Sequence, residues 1–320
     1  MPTVSKGSSG DDGEIGIGDD DANDWTLSGS LTNTTLIGDK GSDTLLIAAA
    51  INSGYISEGA GLDSLYFSTT VSATTIVSGG GEDTVSLSGA ADDLILSAQS
   101  VSRVFAGSGT DTLRFIGTAQ YSTVDAGAGN DSLYFAGTAL GQMVSGGAGV
   151  DTIWLASTAT SSTLNGGIGA DIFYLAGNSS LDSLFGGSGA DSFELAGNVT
   201  NSSVEGGVGS DTMVFAQTLS QASITGGDGN DSLSFAGTAL TSTLSGGSGN
   251  DTFLVNTLSY TSFSGDAGVD KIEVTGAFIN STIDFGTGDE GFTLSVDASN
   301  SSVQGGGGKD TLIFSSTLTS

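Results

Sequence analysis

The chain has 320 residues, of which 53 are glycine, one is proline and none is cysteine or histidine. It carries 36 acidic residues against six lysines and arginines, so its formal net charge is −30 at pH 7. This charge excludes nucleic acids and anionic membranes as natural partners, because both would be repelled, and it favours cations. Without histidine or cysteine the usual bases and thiol nucleophiles are missing, so we predict no enzymatic activity.

The first residues, 1–18, do not follow the repeating pattern found in the rest of the chain. They contain no apolar run long enough for a signal peptide or a membrane span. We predict a disordered or capping segment here, followed by a single repeat domain over residues 19–320.

From Asp24 onward an acidic residue, which we call the anchor, recurs about every 20 residues. Asp43, Asp63 and Asp83 come next, and the step from Asp24 to Asp43 is one residue shorter than the two that follow, which predicts a short first coil. A constant spacing then joins Asp111, Asp131, Asp151, Asp171, Asp191, Asp211, Asp231 and Asp251. Asp270, Glu290 and Asp310 follow, and only the step to Asp270 is one residue shorter. Periodicity of this kind predicts a repeat protein.

The interval between Asp83 and Asp111 exceeds the usual spacing by almost half a repeat, so the pattern is irregular over 84–110. Either one turn bulges, or a wider coil uses Asp92 and Asp93 for an additional turn on the opposite edge. Two arginines, Arg103 and Arg114, lie close to this break. They belong either to a solvated loop or to a partner-docking site.

Each repeat unit begins with a short alternating run after its anchor, as in Ser232-Leu233-Ser234-Phe235. Alternation of polar and apolar residues predicts a half-buried strand. A Gly-Thr-Ala-like turn follows, and a second run at 242–245 carries one large apolar residue before the next glycines. Each unit therefore predicts two short strands and two turns.

Apolar residues recur in two registers, so that successive units would stack one on the next. The first ladder is Leu133, Ile153, Phe173, Phe193, Met213, Leu233 and Phe253. The second ladder is Val104, Val124, Val144, Leu164, Leu184, Val204, Ile224 and Leu244. Because one unit cannot bury its own apolar residues, this stacking predicts an all-β fold, a parallel β-solenoid of about 15 coils.

The turns before the anchors are rich in glycine, and six consecutive ones share the pattern Gly-Gly-x-Gly-x-Asp. They run from GGAGVD at 146–151 to GGSGND at 246–251, and a further one, GGGGKD, ends at Asp310. These turns resemble the RTX family, the hemolysin-type calcium-binding repeats, and the resemblance covers nearly the whole chain. It implies a right-handed β-roll in which calcium lies between successive turns along one edge.

The resemblance also implies the metal ligands, which are anchor carboxylates and backbone carbonyls of the turns. The implied carboxylates are Asp43, Asp63, Asp83, Asp111, Asp131, Asp151, Asp171, Asp191, Asp211, Asp231, Asp251, Asp270, Glu290 and Asp310. The implied carbonyls belong to Gly146, Gly149, Gly166, Gly169, Gly186, Gly189, Gly206, Gly209, Gly226, Gly229, Gly246 and Gly249. Because the second turn of each unit lacks the motif, we expect one row of calcium ions along one edge.

Elementary electrostatics agrees with calcium at these positions. Stacked anchors would lie about 4.8 Å apart, and two carboxylates at that distance repel by roughly 3 to 4 kcal/mol at an effective dielectric of about 20. Calcium accepts about six to eight oxygen ligands and would remove this repulsion, whereas magnesium demands octahedral geometry and keeps its water. The alternative is that each aspartate only caps its own turn, but asparagine, which would serve as well, is never used at the anchor.

Several turns depart from the pattern around the first glycine. Other residues replace this glycine at Glu58, Ser78, Ala106, Ala126 and Phe285, while Gly38 and Gly265 are followed by Asp39 and Asp266. We expect weaker or empty sites at these turns, above all where Glu290 replaces the anchor aspartate.

Composition and resemblance together favour a secreted calcium-binding structural protein that self-assembles at the cell surface, as a surface-layer, matrix or filament component. The alternatives are a calcium-stabilised adhesin or binding module, with cell-surface polysaccharide as a partner, and an accessory RTX domain of a larger secreted protein or enzyme. RTX-like proteins typically leave the cell by type I secretion, which the resemblance implies here. Nucleic acid binding and membrane insertion are not expected.

Overall fold

A computed structural model describes residues 3–4, 13–16, 24–28, 31–37, 41–48, 50–57, 59, 61, 63–69, 71–79, 83–87, 91–92, 94–98, 102–295, 297–315 and 318–319. Within these residues the chain is all-β, without a helix, and forms a parallel β-solenoid of about 13 turns. The predicted fold class is confirmed, and the number of turns is close to the 15 coils expected. The chain divides into two compact units, residues 1–157 with 162–164 and residues 158–161 with 165–320.

The first unit contains two sheets of parallel strands. One sheet, called sheet A, holds Thr3–Val4, Asp24–Leu27, Thr44–Ile47, Ser64–Phe67, Asp83–Leu87, Ser102–Phe105, Thr123–Ala128 and Met143–Ala148. The other, sheet B, holds Gly13–Gly16, Thr34–Ile37, Tyr55–Ser57, Thr75–Gly79, Leu94–Ala98, Thr112–Phe115, Ser132–Phe135 and Thr152–Leu155. Two-residue strands lie at the edges: Leu31–Thr32, Ile51–Asn52, Val71–Ser72, Ala91–Asp92, Ala119–Gln120 and Ala139–Leu140.

The second unit repeats this plan, with one register shift where Ser232–Leu240 pairs with Thr252–Ser259. The strands before the anchors are Ser183–Ser188, Ser203–Val208, Ser223–Asp228, Thr243–Ser248, Ser262–Ala267, Thr282–Asp284 and Ser302–Gln304, and Thr163–Ile168 spans the boundary of the units. The strands after the anchors are Ile172–Leu175, Ser192–Leu195, Thr212–Phe215, Ser232–Leu240, Thr252–Ser259, Lys271–Val274, Gly291–Leu294 and Thr311–Phe314. The short edge strands are Ala159–Thr160, Ser179–Ser180, Val199–Thr200, Leu219–Ser220, Phe278–Ile279, Ala298–Ser299 and Leu318–Thr319.

The core lies between the two sheets and consists of the predicted ladders. In the first unit Leu133 is opposite Ile153, and in the second unit Met213 is opposite Leu233. The rings of Phe173 and Phe193 stack with their centroids 4.5 Å apart. Burying each such side chain stabilises the fold by roughly 1.5 to 3 kcal/mol. Successive coils therefore stack because each one points apolar residues into the core at the same positions.

The structure adds a third strand to most coils, in the segment that the sequence indicates only as a turn. The strand Val199–Thr200, for example, pairs with Leu219–Ser220 of the next coil. The first residue of this strand, Val199, is buried. Other coils carry a smaller buried residue at the same place, such as Ala159. Two residues are too short for alternation to be visible in the sequence, which explains why only two strands per coil were expected.

Asp24 does not occupy the anchor position of its coil. It lies opposite Thr44, one residue beyond the anchor Asp43, and Trp25 lies opposite Leu45. The first coil therefore has the usual length, and the expectation of a shortened coil was wrong. The register is set by the apolar residues rather than by the acid.

The described part of segment 1–18 also pairs in parallel with the coils. Thr3–Val4 lies opposite Thr26 and Leu27, and Gly13–Gly16 lies opposite Thr34–Ile37. Two stretches of this segment therefore continue the two sheets, although the sequence there shows no repeat motif.

Within the described residues of the irregular segment 84–110, the strands keep almost the spacing of an ordinary coil. The strand after Asp83 is followed in sheet A by Ser102–Phe105, with Val85 opposite Val104, so that this step is one residue shorter than the usual one. In sheet B, Leu94 is likewise opposite Leu113. Coils of nearly ordinary length thus continue through the described part of the break, with a one-residue register shift after Ile76.

What changes at the break is the edge on which the anchors lie. Strands that follow Asp43 and Asp63 belong to sheet A, whereas the strands that follow Asp111 and Asp131 belong to sheet B. The long interval between Asp83 and Asp111 therefore consists of one coil and about half of another. Within the first unit the aspartates form two rows on opposite edges, so the anchors do not share the single edge on which one row of calcium ions was expected.

Candidate metal sites

The glycine turns owe their shape to backbone conformations that other residues rarely adopt. Gly147 and Gly149 have φ angles of 108° and 138°, in a region where only glycine is unstrained. A Cβ atom on Gly149 would also collide with the carbonyl oxygen of Gly129 in the preceding coil. The glycines are thus needed both for the bend and for the close stacking of one turn on the next.

Most of the described anchor carboxylates are buried, and the aspartates among them join successive coils by hydrogen bonds. Asp131 Oδ1 accepts the backbone N–H of Asp111 at 2.8 Å in the first unit. In the second unit Asp211 Oδ1 accepts the N–H of Asp191 at 2.7 Å, and Asp231, Asp251 and Asp270 continue the ladder at 2.8 Å. The aspartates therefore do bond to backbone, as the turn-capping alternative holds, but to the neighbouring coil instead of their own turn.

The second carboxylate oxygen has a different environment. Within the described residues Oδ2 is buried without a hydrogen-bond partner in Asp131, Asp191, Asp211, Asp231, Asp251 and Asp270. A Cβ atom on Gly265 would lie 2.6 Å from Asp270 Oδ2 and 2.6 Å from the carbonyl oxygen of Phe285 in the next coil. Two oxygen acceptors thus lie close together, and the carboxylate oxygen has no described donor. The same arrangement recurs at Gly186, Gly206, Gly226 and Gly246.

This arrangement passes a chemical test for a bound cation. A buried carboxylate oxygen without a partner costs stability, and a carboxylate beside a carbonyl is the donor set of a hard cation such as calcium. Among the described residues there is no cluster of three or more acidic side chains. Carbonyl oxygens must therefore supply much of the coordination, because the acidic side chains near each such pair of oxygens are few.

Burial raises the pKa of several anchor carboxyls. The pKa rises from 3.8 to about 6 for Asp131, Asp191, Asp231 and Asp251. The N–H donated by the preceding anchor lowers the pKa, and repulsion from neighbouring carboxylates raises it further. Because these values remain below 7, the carboxyls are mostly ionised at neutral pH, and the fold holds a row of buried negative charge.

The structure brings the predicted site residues together coil by coil, with some differences from expectation. Asp43 and Asp63 show the same ladder bond, at 2.8 Å, on the opposite edge of the first unit. Asp266 adopts a φ of 71° where other turns have their second glycine. The side chain of Asp83, and the residues Asp39, Glu58 and Ser78 in the departing turns, lie outside what the structure describes at side-chain level.

Sequence reasoning missed two features of these turns. Phe285 replaces a first glycine, yet its carbonyl oxygen lies where a glycine carbonyl lies in other coils, because a backbone carbonyl does not depend on residue type. A row of hydroxyl residues also recurs at the second edge, and Ser202 Oγ there accepts the N–H of Asp182 at 3.1 Å. Its signal is a serine or threonine at the same place in several coils, although Asp182 and Ala222 interrupt the row. The hydroxyl residues are Ser202, Ser242, Thr261, Ser281 and Ser301.

The glycine turns match a known type of calcium-binding repeat. The family model of the RTX calcium-binding nonapeptide repeat (four copies) matches residues 105–138, 174–198, 223–238, 236–254 and 287–316. In these segments the chain is similar to RTX calcium-binding repeats. RTX repeats are typical of secreted extracellular proteins. The repeats and the β-solenoid fold indicate a calcium-binding structural or extracellular protein.

One similar solved structure is the crystal structure of a hyperactive, Ca²⁺-dependent, β-helical antifreeze protein from an Antarctic bacterium. It is 23% identical to this chain, and the alignment covers 80% of each chain with a TM-score of 0.34. No curated protein matches the chain. In the described residues no helix is long and apolar enough to span a bilayer.

Proposed function

We propose that the chain is a secreted structural protein whose coils are held closed by calcium along the glycine turns. The observation that carries this proposal is the buried Oδ2 atom of the anchors, which faces a carbonyl oxygen of the next coil in turn after turn. Calcium bound there would join two coils and neutralise the row of carboxylates. The sites would use the anchors and turn glycines of the RTX motif, on both edges of the first unit.

Circular dichroism of the full chain tests the proposal. In excess chelator we expect the strand signal to fall strongly, because ionised carboxylates would then repel one another along each row. Calcium at about millimolar concentration should restore the signal, and magnesium should restore less of it because of its stricter geometry. A strand spectrum that is unchanged by chelator would contradict the proposal.

Self-assembly at the cell surface is a further part of the proposal. Leu312 and Phe314 continue the core ladder from Phe292 and Leu294, which are buried. In contrast, Leu312 and Phe314 are 38% and 39% exposed. We propose that a second copy of the chain covers these residues by stacking a coil on them, which would build surface-layer, matrix or filament structures.

Sedimentation velocity with the full chain separates this proposal from its alternatives. We expect oligomers in calcium that dissociate in chelator. Leu312→Glu should abolish them, while Ile313→Glu, which changes an outward-facing neighbour, should not. Oligomers that survive Leu312→Glu, or monomers at high protein concentration in calcium, would contradict the stacking contact. Monomers would favour an adhesin or an accessory domain of a larger protein.

A stripe on the outer face of the first unit favours the adhesin as the second candidate. Arg114 lies over the ring of Tyr134 at 5.3 Å, and Tyr134 meets Trp154 edge to face at 5.6 Å. Aromatic faces with a nearby guanidinium can bind sugar rings, so cell-surface polysaccharide is the proposed partner. Binding of the full chain to purified surface polysaccharide, and its loss in Tyr134→Ala, would test this candidate. Export by type I secretion is proposed for either function.

A further inference from the structure

Glu290 differs from the other described anchors in more than its length. It is 2% exposed, and within the described residues neither Oε1 nor Oε2 has a hydrogen-bond partner. In regular coils one carboxylate oxygen accepts the N–H of the preceding anchor, as Asp270 does from Asp251 at 2.8 Å. The additional methylene of Glu290 carries both oxygens past this position. Two buried oxygens are thus available in this coil where a regular aspartate offers one.

The side chain of Glu290 also points to a different part of its turn. In regular coils the available oxygen lies beside the first glycine, as Asp231 Oδ2 does beside Gly226. In this coil the first position is held by Phe285, which is fully buried and packs against Phe292 with ring centroids 5.5 Å apart. The available oxygens of this coil therefore cannot be placed as in its neighbours.

The new position of the carboxylate lies beside Gly288, on the other side of the turn. A Cβ atom on Gly288 would collide both with Glu290 Oε1 and with the carbonyl oxygen of Gly268 in the preceding coil. These two oxygens therefore border the same small space, and no described donor serves the glutamate. Two acceptors without a donor are stable together only if a cation lies near them or a proton is shared. Burial, and then Asp310 of the following coil, raise the pKa of Glu290 to about 7, so a proton shared with Asp310 is the competing explanation.

We propose that Glu290 forms a divalent-cation site of a second type, in which it supplies both carboxylate oxygens and Gly268 supplies a carbonyl. This inference rests on the proposed calcium-binding function. It assigns to the Phe285–Glu290 turn a role opposite to the one that the sequence predicts, because the departure from the motif moves the site instead of weakening it. Glutamate that binds with both oxygens is a common calcium ligand.

The test counts bound calcium in the full chain by equilibrium dialysis, at about pH 8 so that the carboxyls are ionised. Glu290→Gln keeps the shape of the side chain and removes its charge. Asp251→Asn is the matched control in a regular coil. We expect Glu290→Gln to lose about one calcium per chain, to unfold at lower temperature in calcium, and to unfold at an unchanged or higher temperature in chelator.

Each other outcome overturns a different statement. If Glu290→Gln keeps the full calcium count while Asp251→Asn lowers it, the glutamate shares a proton and is not a ligand, and the proposed function still stands. If the unchanged protein binds no calcium, the proposed function fails together with this inference. A Glu290→Asp variant that keeps the full count and affinity would show that two oxygens are not needed.

Discussion

At both edges of the second unit a side chain accepts a backbone N–H of the preceding coil, but the two edges use different side chains. At the glycine edge, formed by turns 206–210, 226–230 and 246–250 with their anchors, a carboxylate accepts the N–H of the preceding coil. At the hydroxyl edge, formed by Ser202, Ser242, Thr261 and Ser281, a hydroxyl accepts it, as Ser242 does from Ala222 at 3.2 Å. Both edges therefore carry a ladder of bonds between coils.

The two edges differ in the charge and in the unused hydrogen-bonding capacity of the side chain that accepts this bond. Ser242 Oγ donates its proton to the carbonyl of Leu240 at 2.9 Å, and Ser281 does the same to Ile279 at 2.7 Å. Each hydroxyl is thus neutral and satisfied, whereas each carboxylate keeps a buried charge and an oxygen without a described donor. A hydroxyl therefore completes its edge by protein groups alone, whereas at the glycine edge a bound cation would compensate the charge that the carboxylates keep.

Limiting calcium should separate the two edges most strongly. Peptides that cover 206–211 and 226–231 should lose protection from hydrogen exchange first, because their charges become uncompensated. Peptides that cover 219–223 and 239–243 should stay protected until the coil unfolds. Hydrogen exchange measured by mass spectrometry during a calcium titration would show this order. Simultaneous loss at both edges would contradict the distinction.

Replacing one carboxylate by its neutral amide should reverse the dependence on calcium. In Asp231→Asn the oxygen can still accept the N–H of Asp211, and the amide can donate towards the carbonyl of Gly246. We expect thermal unfolding at a lower temperature than the unchanged protein in calcium and at a higher temperature in chelator. Each change should correspond to about 1 to 3 kcal/mol. A shift of the same sign in both conditions would refute the interpretation.

The sequence predicts those features of the edges that depend on side chains and misses those that depend on the backbone. Side-chain periodicity reveals the ladders and the anchors, because Leu133 and Ile153, or Asp211 and Asp231, must fall at matching places. The carbonyl of Phe285 carries no such signal, since every residue has one. The change of edge after Asp83 is also hidden, because the spacing between acids measures the distance along the chain and not the position in a coil.

Acid should have opposite effects with and without calcium. The pKa of Asp191, Asp231 and Asp251 is raised to about 6, so the folded chain binds protons more tightly than the unfolded one. In chelator, stability should therefore rise as pH falls through about 6 towards the ordinary value of 3.8. In saturating calcium the same acid should weaken the fold, because protons compete with the ion. Unfolding temperatures across this pH range would establish both signs.

The smallest effect is expected at the hydroxyl edge. Ser202→Ala removes the acceptor for the N–H of Asp182 and the donor to Thr200, bonded at 3.1 and 3.0 Å. The cost should be about 1 kcal/mol, and it should be equal in calcium and in chelator. Urea unfolding in both conditions provides the measurement. A cost that depends on calcium would mean that the two edges are coupled.

The change of edge in the first unit shows that the two halves of the repeat can exchange their places in the two sheets. Val85, from the half of the repeat after an anchor, lies opposite Val104, from the half before an anchor, and Val104 lies opposite Val124. Either half can therefore occupy either sheet, since the core responds only to an apolar residue that points inward. The two halves of the repeat are therefore interchangeable, and half an additional coil moves the glycine turn to the opposite edge of the unit while the strands stay paired in parallel.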